Sequence, residues 1–232
     1  EGFIEIIGSD LDIVIKAKAE ADIEIEGKAL INARVLSDMV RKLPRGEVTF
    51  SDIGSELRVE QSKLNFTLRK LDEKTYPEAL LGKNYDSKKS QSVEPGELFE
   101  SLKKVGIAAS PEGGRPVLTG VYFNNQNDKT ELAATDSYRL ATYNLTNFPI
   151  KDAGILSFRS LNEIARIFEQ TEEKIEINST ERELNFYDNR FSASIRKLEG
   201  TFPEYGNLFP KETIFSIEVN KNDILDTLDR AT

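Results

Sequence analysis

One pattern occurs twice in this chain, and the distance between its copies is the length of a domain. Arg69-Lys70-Leu71 followed by Thr75-Tyr76-Pro77-Glu78 returns as Arg196-Lys197-Leu198 followed by Thr201-Phe202-Pro203-Glu204. The triplets lie 127 residues apart and the tetrads 126. Solenoid units repeat every 20 to 50 residues or so, whereas about 100 to 150 is the usual size of a domain. The chain is therefore built by duplicating a domain. The correspondence runs further. Ala33-Arg34-Val35-Leu36 pairs with Phe158-Arg159-Ser160-Leu161 at an offset of 125. Val48, Phe50, Leu57 and Leu64 pair with Ile175, Ile177, Leu184 and Phe191 at 127, and Ser9-Asp10 pairs with Thr135-Asp136 at 126. A third copy begins near the end, where Val219, Asp223-Ile224 and Leu228 answer to Val93, Glu97-Leu98 and Leu102. The simplest account is a piece of a longer protein with domains at 1–88, 89–212 and 213–232: the tail of one, one whole, and the start of a third.

Composition narrows the chemistry. The chain has no His and no Cys. That removes the commonest general base, the thiol nucleophile and the favoured transition-metal ligands, and with them any Ser-His-Asp or Cys-His catalysis in this segment. Carboxylate chemistry stays open. A net charge of −9 argues against a protein that coats nucleic acid with its whole surface. It leaves room for one that gathers its cations on a single internal face. No apolar run approaches the ~20 residues of a membrane span, and the absence of cysteine suits the cytoplasm.

Apolar and polar residues alternate over 3–8, 12–18, 22–26, 29–32, 47–50, 56–60 and 63–69, as in half-buried strands. Segment 34–43 reads as a helix with Leu36, Met39, Val40 and Leu43 inward, stopped by Pro44-Arg45-Gly46. Residues 82–92 are polar and aperiodic, a linker. The second copy opens with a strand near 90–94 and a helix from Pro95 to Ala108, with Leu98, Leu102 and Val105 inward. A loop at 111–116 and strands at 118–125, 130–135 and 138–145 follow. A helix over 159–170 then buries Leu161, Ile164, Ala165 and Phe168, and strands at 174–178, 183–187 and 190–197 complete the unit. This is an α+β domain, two helices with antiparallel sheets, repeated.

Three constellations could carry function. Arg34 and Arg41 lie seven residues apart opposite the apolar stripe of their helix, and Arg159 and Arg166 do the same on theirs. Seven residues is close to two helical turns, so each pair shares a face. Lys103, Lys104 and Arg115 add charge nearby. Such a face would meet phosphates without reading sequence; a solvated helix surface is the plainer explanation. The second is Thr135-Asp136-Ser137-Tyr138-Arg139-Leu140-Ala141, a turn between strands that could equally form a pocket wall. The third, Asp10-Leu11-Asp12, lacks the further ligands a metal needs and reads as a solvated edge. Gly113-Gly114 lacks the spacing and the trailing Lys-Ser/Thr of a phosphate loop. No metal site and no cofactor are expected.

Arg115-Pro116-Val117-Leu118-Thr119-Gly120-Val121-Tyr122-Phe123, with Ala134-Thr135-Asp136-Ser137-Tyr138-Arg139-Leu140-Ala141 and Gly200-Thr201-Phe202-Pro203-Glu204-Tyr205, resembles the central domain of the bacterial DNA polymerase III beta subunit, the sliding clamp. Residues 33–44 resemble the helix of that family's first domain. The resemblance implies a DNA-clamp fold: three similar domains per subunit, in a ring of two subunits that encircles duplex DNA. Such a ring is a non-catalytic processivity factor of DNA replication that tethers the DNA-directed DNA polymerase. By the same carry-over, Arg34, Arg41, Lys103, Lys104, Arg115, Arg159 and Arg166 face double-stranded DNA. Leu118, Thr135, Ser137, Tyr138, Arg139, Leu140, Pro203 and Leu208 wall a pocket for short extended peptides of the polymerase III alpha subunit, the clamp loader and other clients. The full-length protein would be a cytoplasmic homodimer with no membrane attachment. Tyr138 stands where the family usually has His, and Gly206-Asn207 where two basic residues often occur. The alternatives are a non-ring peptide-binding adaptor on a duplicated clamp-like domain, and a carboxylate-dependent enzyme.

Overall fold

The computed structural model describes residues 2–77, 89–126, 129–168, 171, 173–210 and 212–231. Thirteen strands, β1 to β13, and four helices, α1 to α4, are defined among them. The first copy contributes β1 (Gly2–Ser9), β2 (Ile13–Ala21), α1 (Ala33–Val40), β3 (Thr49–Asp52), β4 (Glu56–Gln61) and β5 (Leu64–Arg69). The second contributes β6 (Gln91–Val93), α2 (Pro95–Gly106), β7 (Gly120–Gln126), β8 (Lys129–Thr135), β9 (Leu140–Leu145), β10 (Gly154–Ser157), α3 (Phe158–Phe168), β11 (Ile175–Ser179), β12 (Glu183–Tyr187) and β13 (Phe191–Arg196). The last helix is α4 (Lys221–Ala231).

The strands form three antiparallel sheets, in the orders β1-β2-β13-β12-β11-β6, β10-β7-β8-β9 and β3-β4-β5. The largest crosses the duplication: β2 of the first copy pairs with β13 of the second, with Ile13 opposite Ile195 and Ala17 opposite Phe191. Residues 1–200 make one compact unit and residues 201–232 another. The main core of the first unit lies where α2 and α3 meet the sheets. Leu98, Phe99, Leu102 and Val105 of α2, with Leu161, Ile164, Ala165 and Phe168 of α3, are at most 2% exposed. They pack with Val121, Phe123, Leu132, Ile175, Ile177, Leu184, Phe186 and Ile195. A smaller core holds Met39, Val59 and Leu68, with Leu36, Val48, Leu57 and Phe66 at its edge.

Local chemistry sets the helix ends. Asn32 caps α1, its side-chain oxygen accepting from the Val35 amide at 3.2 Å. Pro95 occupies the first turn of α2, where a missing N–H costs nothing. α1 stops at Val40, short of the expected Leu43, because Leu43 precedes Pro44 and the proline ring disfavours helical geometry there. Val40 is exposed (47%), not inward. Segments 22–26 and 29–32 alternate but form no strand: apart from a bridge between Leu30 and Leu71 they find no sheet partner, and Ile25 is 89% exposed. Residues 116–119 form a 3-10 turn ahead of β7, and β10 was not legible because its four residues lack alternation. The expected linker at 82–92 falls largely outside the described residues; β6 begins at Gln91.

The repeated Arg-Lys-Leu triplet has one structural job in both copies. The Leu71 amide donates to the Leu30 carbonyl, and the Leu198 amide to the Ile155 carbonyl, each at 2.8 Å. Lys70 Nζ reaches both carboxylate oxygens of Asp52 at 2.8 and 2.9 Å. Lys197 Nζ donates to Ser179 Oγ at 3.0 Å, the Thr180 carbonyl at 2.6 Å and the Asp152 carbonyl. Asp52 and Ser179 are equivalent positions in the repeat. The lysine thus ties the last strand of each three-strand unit to the first. The Lys70 ammonium, by its hydrogen bond, holds the Asp52 carboxyl below the usual aspartate range, while burial lowers the affinity of Lys197 for its proton.

Candidate functional site

The helices carry the candidate cations on their outer faces. Arg34 and Arg41 are exposed on and just after α1, Lys103 and Lys104 on α2, and Arg159 and Arg166 on α3. Arg115 is exposed in the loop before the 3-10 turn. α2 and α3 pack against each other, which sets their four cations on adjoining helices. Gly106 permits that crossing: a Cβ there would lie 1.9 Å from Cε2 of Phe158, the first residue of α3. α1 packs separately, on the smaller core. Lys104 and Arg166 are among the cations engaged with neighbours. Lys104 Nζ lies 3.6 Å from Glu100 and 5.5 Å from the Tyr143 ring centroid. Arg166 Nη1 donates to both oxygens of Glu163, at 3.2 and 3.4 Å.

The candidate pocket turn joins β8 to β9. Asp136 Oδ1 accepts from the Tyr138 and Arg139 amides at 3.0 and 2.9 Å, and Oδ2 from Arg139 Nε at 2.9 Å. Thr135 Oγ1 accepts from the Ser137 amide and donates to the Arg139 carbonyl. Ser137 sits at φ 79°. These bonds, those to backbone amides first, hold the Asp136 carboxyl below the ordinary aspartate range. The first copy repeats the turn nearly atom for atom. Asp10 Oδ1 accepts from the Asp12 and Ile13 amides, Ser9 Oγ from the Leu11 amide, and Leu11 sits at φ 80°. Asp10 is therefore a turn acid, and among the described residues no group of three His, Cys, Asp or Glu could hold a metal.

The bonds that hold the turn do not use the side chain of Tyr138, which stands at the tip 98% exposed. Leu140 is half-buried and Thr135 and Leu118 are buried, Leu118 at 5%. Ser137 and Arg139 are exposed. Pro203 and Leu208 belong to the second unit, where Pro203 is exposed and Leu208 is 70% exposed; there Phe202 and Tyr205 stack edge to face. Sequence reasoning passed over Asp136 as a generic turn residue. The repeat pairs it with Asp10, but the bonds by which both acids build their turns show only in the structure. Sequence reasoning also passed over Glu100 and Glu163, which the repeat offsets identify as readily as the arginines.

A duplicated α+β domain with an antiparallel sheet shared between its copies, and with exposed cations on its helices, is the architecture of the DNA clamps. Residues 1–81 match the N-terminal domain of the DNA polymerase III beta subunit and residues 92–204 its central domain, and the chain belongs to that family. The beta sliding clamp of Halalkalibacterium halodurans is 30% identical over 98% of this chain, and that of Bacillus subtilis 29% over 99%. The crystal structure of the Bacillus subtilis sliding clamp superposes with a TM-score of 0.86 over the whole chain at 26% identity. A Bartonella birtlesii sliding clamp bound to griselimycin gives 0.86 at 25%. The chain spans 63% of the length in each of these comparisons. No helix among the described residues is long and apolar enough to cross a membrane.

Proposed function

We propose that this chain is part of a sliding clamp, a ring that encircles duplex DNA and tethers the replicative polymerase without catalysing a reaction itself. The domains divide at 1–88, 89–212 and 213–232. The observation that carries the reading is the recurrence of exposed arginines, Arg34 and Arg41, then Arg159 and Arg166, on helices equivalent by duplication. With Lys103, Lys104 and Arg115 they form the DNA-facing wall, which meets phosphates without reading bases. That explains how a chain of net charge −9 serves DNA: only the inner wall needs cations. Topology replaces tight contact, and tethering raises the polymerase's effective concentration at the primer end.

The peptide-binding surface is the turn at Thr135, Ser137, Tyr138, Arg139 and Leu140, together with Leu118. Its ligands are short extended peptides of the polymerase III alpha subunit, the clamp loader and other clients. The protein works as a homodimer in the cytoplasm. The test is retention on DNA. The protein with all three domains, loaded onto circular DNA by its clamp loader, should stay bound and should run off once that DNA is linearised. Equal retention on both would refute the ring and favour an adaptor that binds peptides without encircling DNA.

A further inference from the structure

The offset of 125 that carries Arg34 onto Arg159 and Arg41 onto Arg166 also carries Asp38 onto Glu163. The offset of 126 between α2 and α4 carries Glu100 onto Asp226 and Lys104 onto Arg230. In or just after each of the four helices an acid therefore stands one turn before a cation, three residues ahead for α1 and α3 and four for α2 and α4, so the two share a face. In α2 and α3 the partners meet: Lys104 with Glu100 at 3.6 Å and Arg166 with Glu163 at 3.2 Å. Exposed pairs of this kind add little to stability. α2 holds Glu97 and Glu100 against Lys103 and Lys104, so its formal charge is zero despite its place in the wall.

Resting on the reading of these helices as DNA-facing, we propose that Glu100 and Glu163, with Asp38 at the equivalent place in α1, keep the wall's cations partly neutralised, so that duplex is held weakly and can slide. A phosphate that takes Arg166 must displace Glu163, and the displaced carboxylate then stands within a screening length, about 10 Å at 0.1 M salt, of the same phosphate. Each contact is thereby made easy to exchange. The acids are positioning residues for the cations, not contacts to DNA.

The test uses the 232-residue chain, a short fluorescent duplex and anisotropy titrations between 50 and 200 mM salt. The double variant Glu100→Gln with Glu163→Gln should bind more tightly, by about 3-fold for each cation released at the low-salt end, and steepen the log–log salt slope by about 0.9 for each. A control with the same charge change off the helices, Glu181→Gln with Glu199→Gln, should move both quantities much less. Both Glu181 and Glu199 are exposed in turns between strands or after them. Thermal melts should leave all variants near the parent. If the parent binds and the helix variants match it, or match the control, the inference fails while the DNA-facing reading stands. If the helix variants fail to bind even at low salt, the inference fails, since cations freed of their carboxylates should hold duplex measurably; the DNA-facing reading is judged separately, by retention on circular DNA.

Discussion

Gly106→Ala is a change of one methyl at the point where α2 meets α3. The added Cβ would lie 1.9, 2.1 and 2.5 Å from three carbons of the Phe158 ring. Ordinary carbon contacts are about 3.5 to 4 Å, so the ring or the helix must withdraw by roughly 1.5 to 2 Å. Neither moves freely. Phe158 packs on the main core, and the preceding turn of α2 is anchored by Leu102 and Val105, both nearly inaccessible. Overpacking of this kind costs about 1–3 kcal/mol. Alanine's advantage over glycine in a helix, at most ~1 kcal/mol, is smaller at the last helical position. The net loss of about 1–2 kcal/mol corresponds to a fall in Tm of roughly 2–8 °C for a chain of this size. Thermal and urea unfolding followed by circular dichroism would measure it. Gly106→Ala combined with Phe158→Ala removes the clash, so the double variant should be more stable than the sum of the single losses by at least ~1 kcal/mol. Gly106→Ala as stable as the parent, or losses that simply add, would refute the close-approach explanation.

Three further outcomes are expected. Lys197→Met leaves the Asp152 and Thr180 carbonyls without their donor and should cost about 1–2 kcal/mol in urea unfolding, and more than Lys70→Met, whose partner Asp52 is open to water. Asp136 is held below the usual aspartate range in the folded protein, so its contribution is present at neutral pH and lost as pH falls through the lowered value; Asp136→Asn should flatten that acid limb in urea midpoints measured against pH. Tyr138→Ala should leave the unfolding midpoint within ~0.5 kcal/mol of the parent, since the side chain is 98% exposed, while weakening an immobilised clamp-binding peptide by roughly 10-fold, about 1.4 kcal/mol.

What could be read before folding was what the duplication repeats. The helices holding Leu98, Leu161 and their partners, and the strands at 3–8, 56–60 and 63–69, announce themselves because burial imposes a period on one face. The duplication also exposes the cationic faces, since a residue that recurs at one offset is seen twice. Ile23 and Ile25 misled because alternation records only which residues could share a face, not whether a neighbouring strand exists to pair with. β10 escaped for the opposite reason: Ile155 and Leu156 are both buried, so no alternation marks the strand. The turn at Asp136 needed side-chain geometry. Its letters suit many loops, and only the bonds to the Tyr138 and Arg139 amides distinguish a residue that builds the turn from one that decorates it.

The ladder between β2 and β13 also has a mechanical side. Five residue pairs, from Ile13–Ile195 to Ala17–Phe191, join the two copies along antiparallel strands. A pull that slides one copy along the other loads these rungs together, as a lap joint does. A pull that peels the sheet open loads them one at a time. The seam therefore resists sliding of one copy along the other better than it resists peeling. Its weak direction is hinge-like opening across the strands.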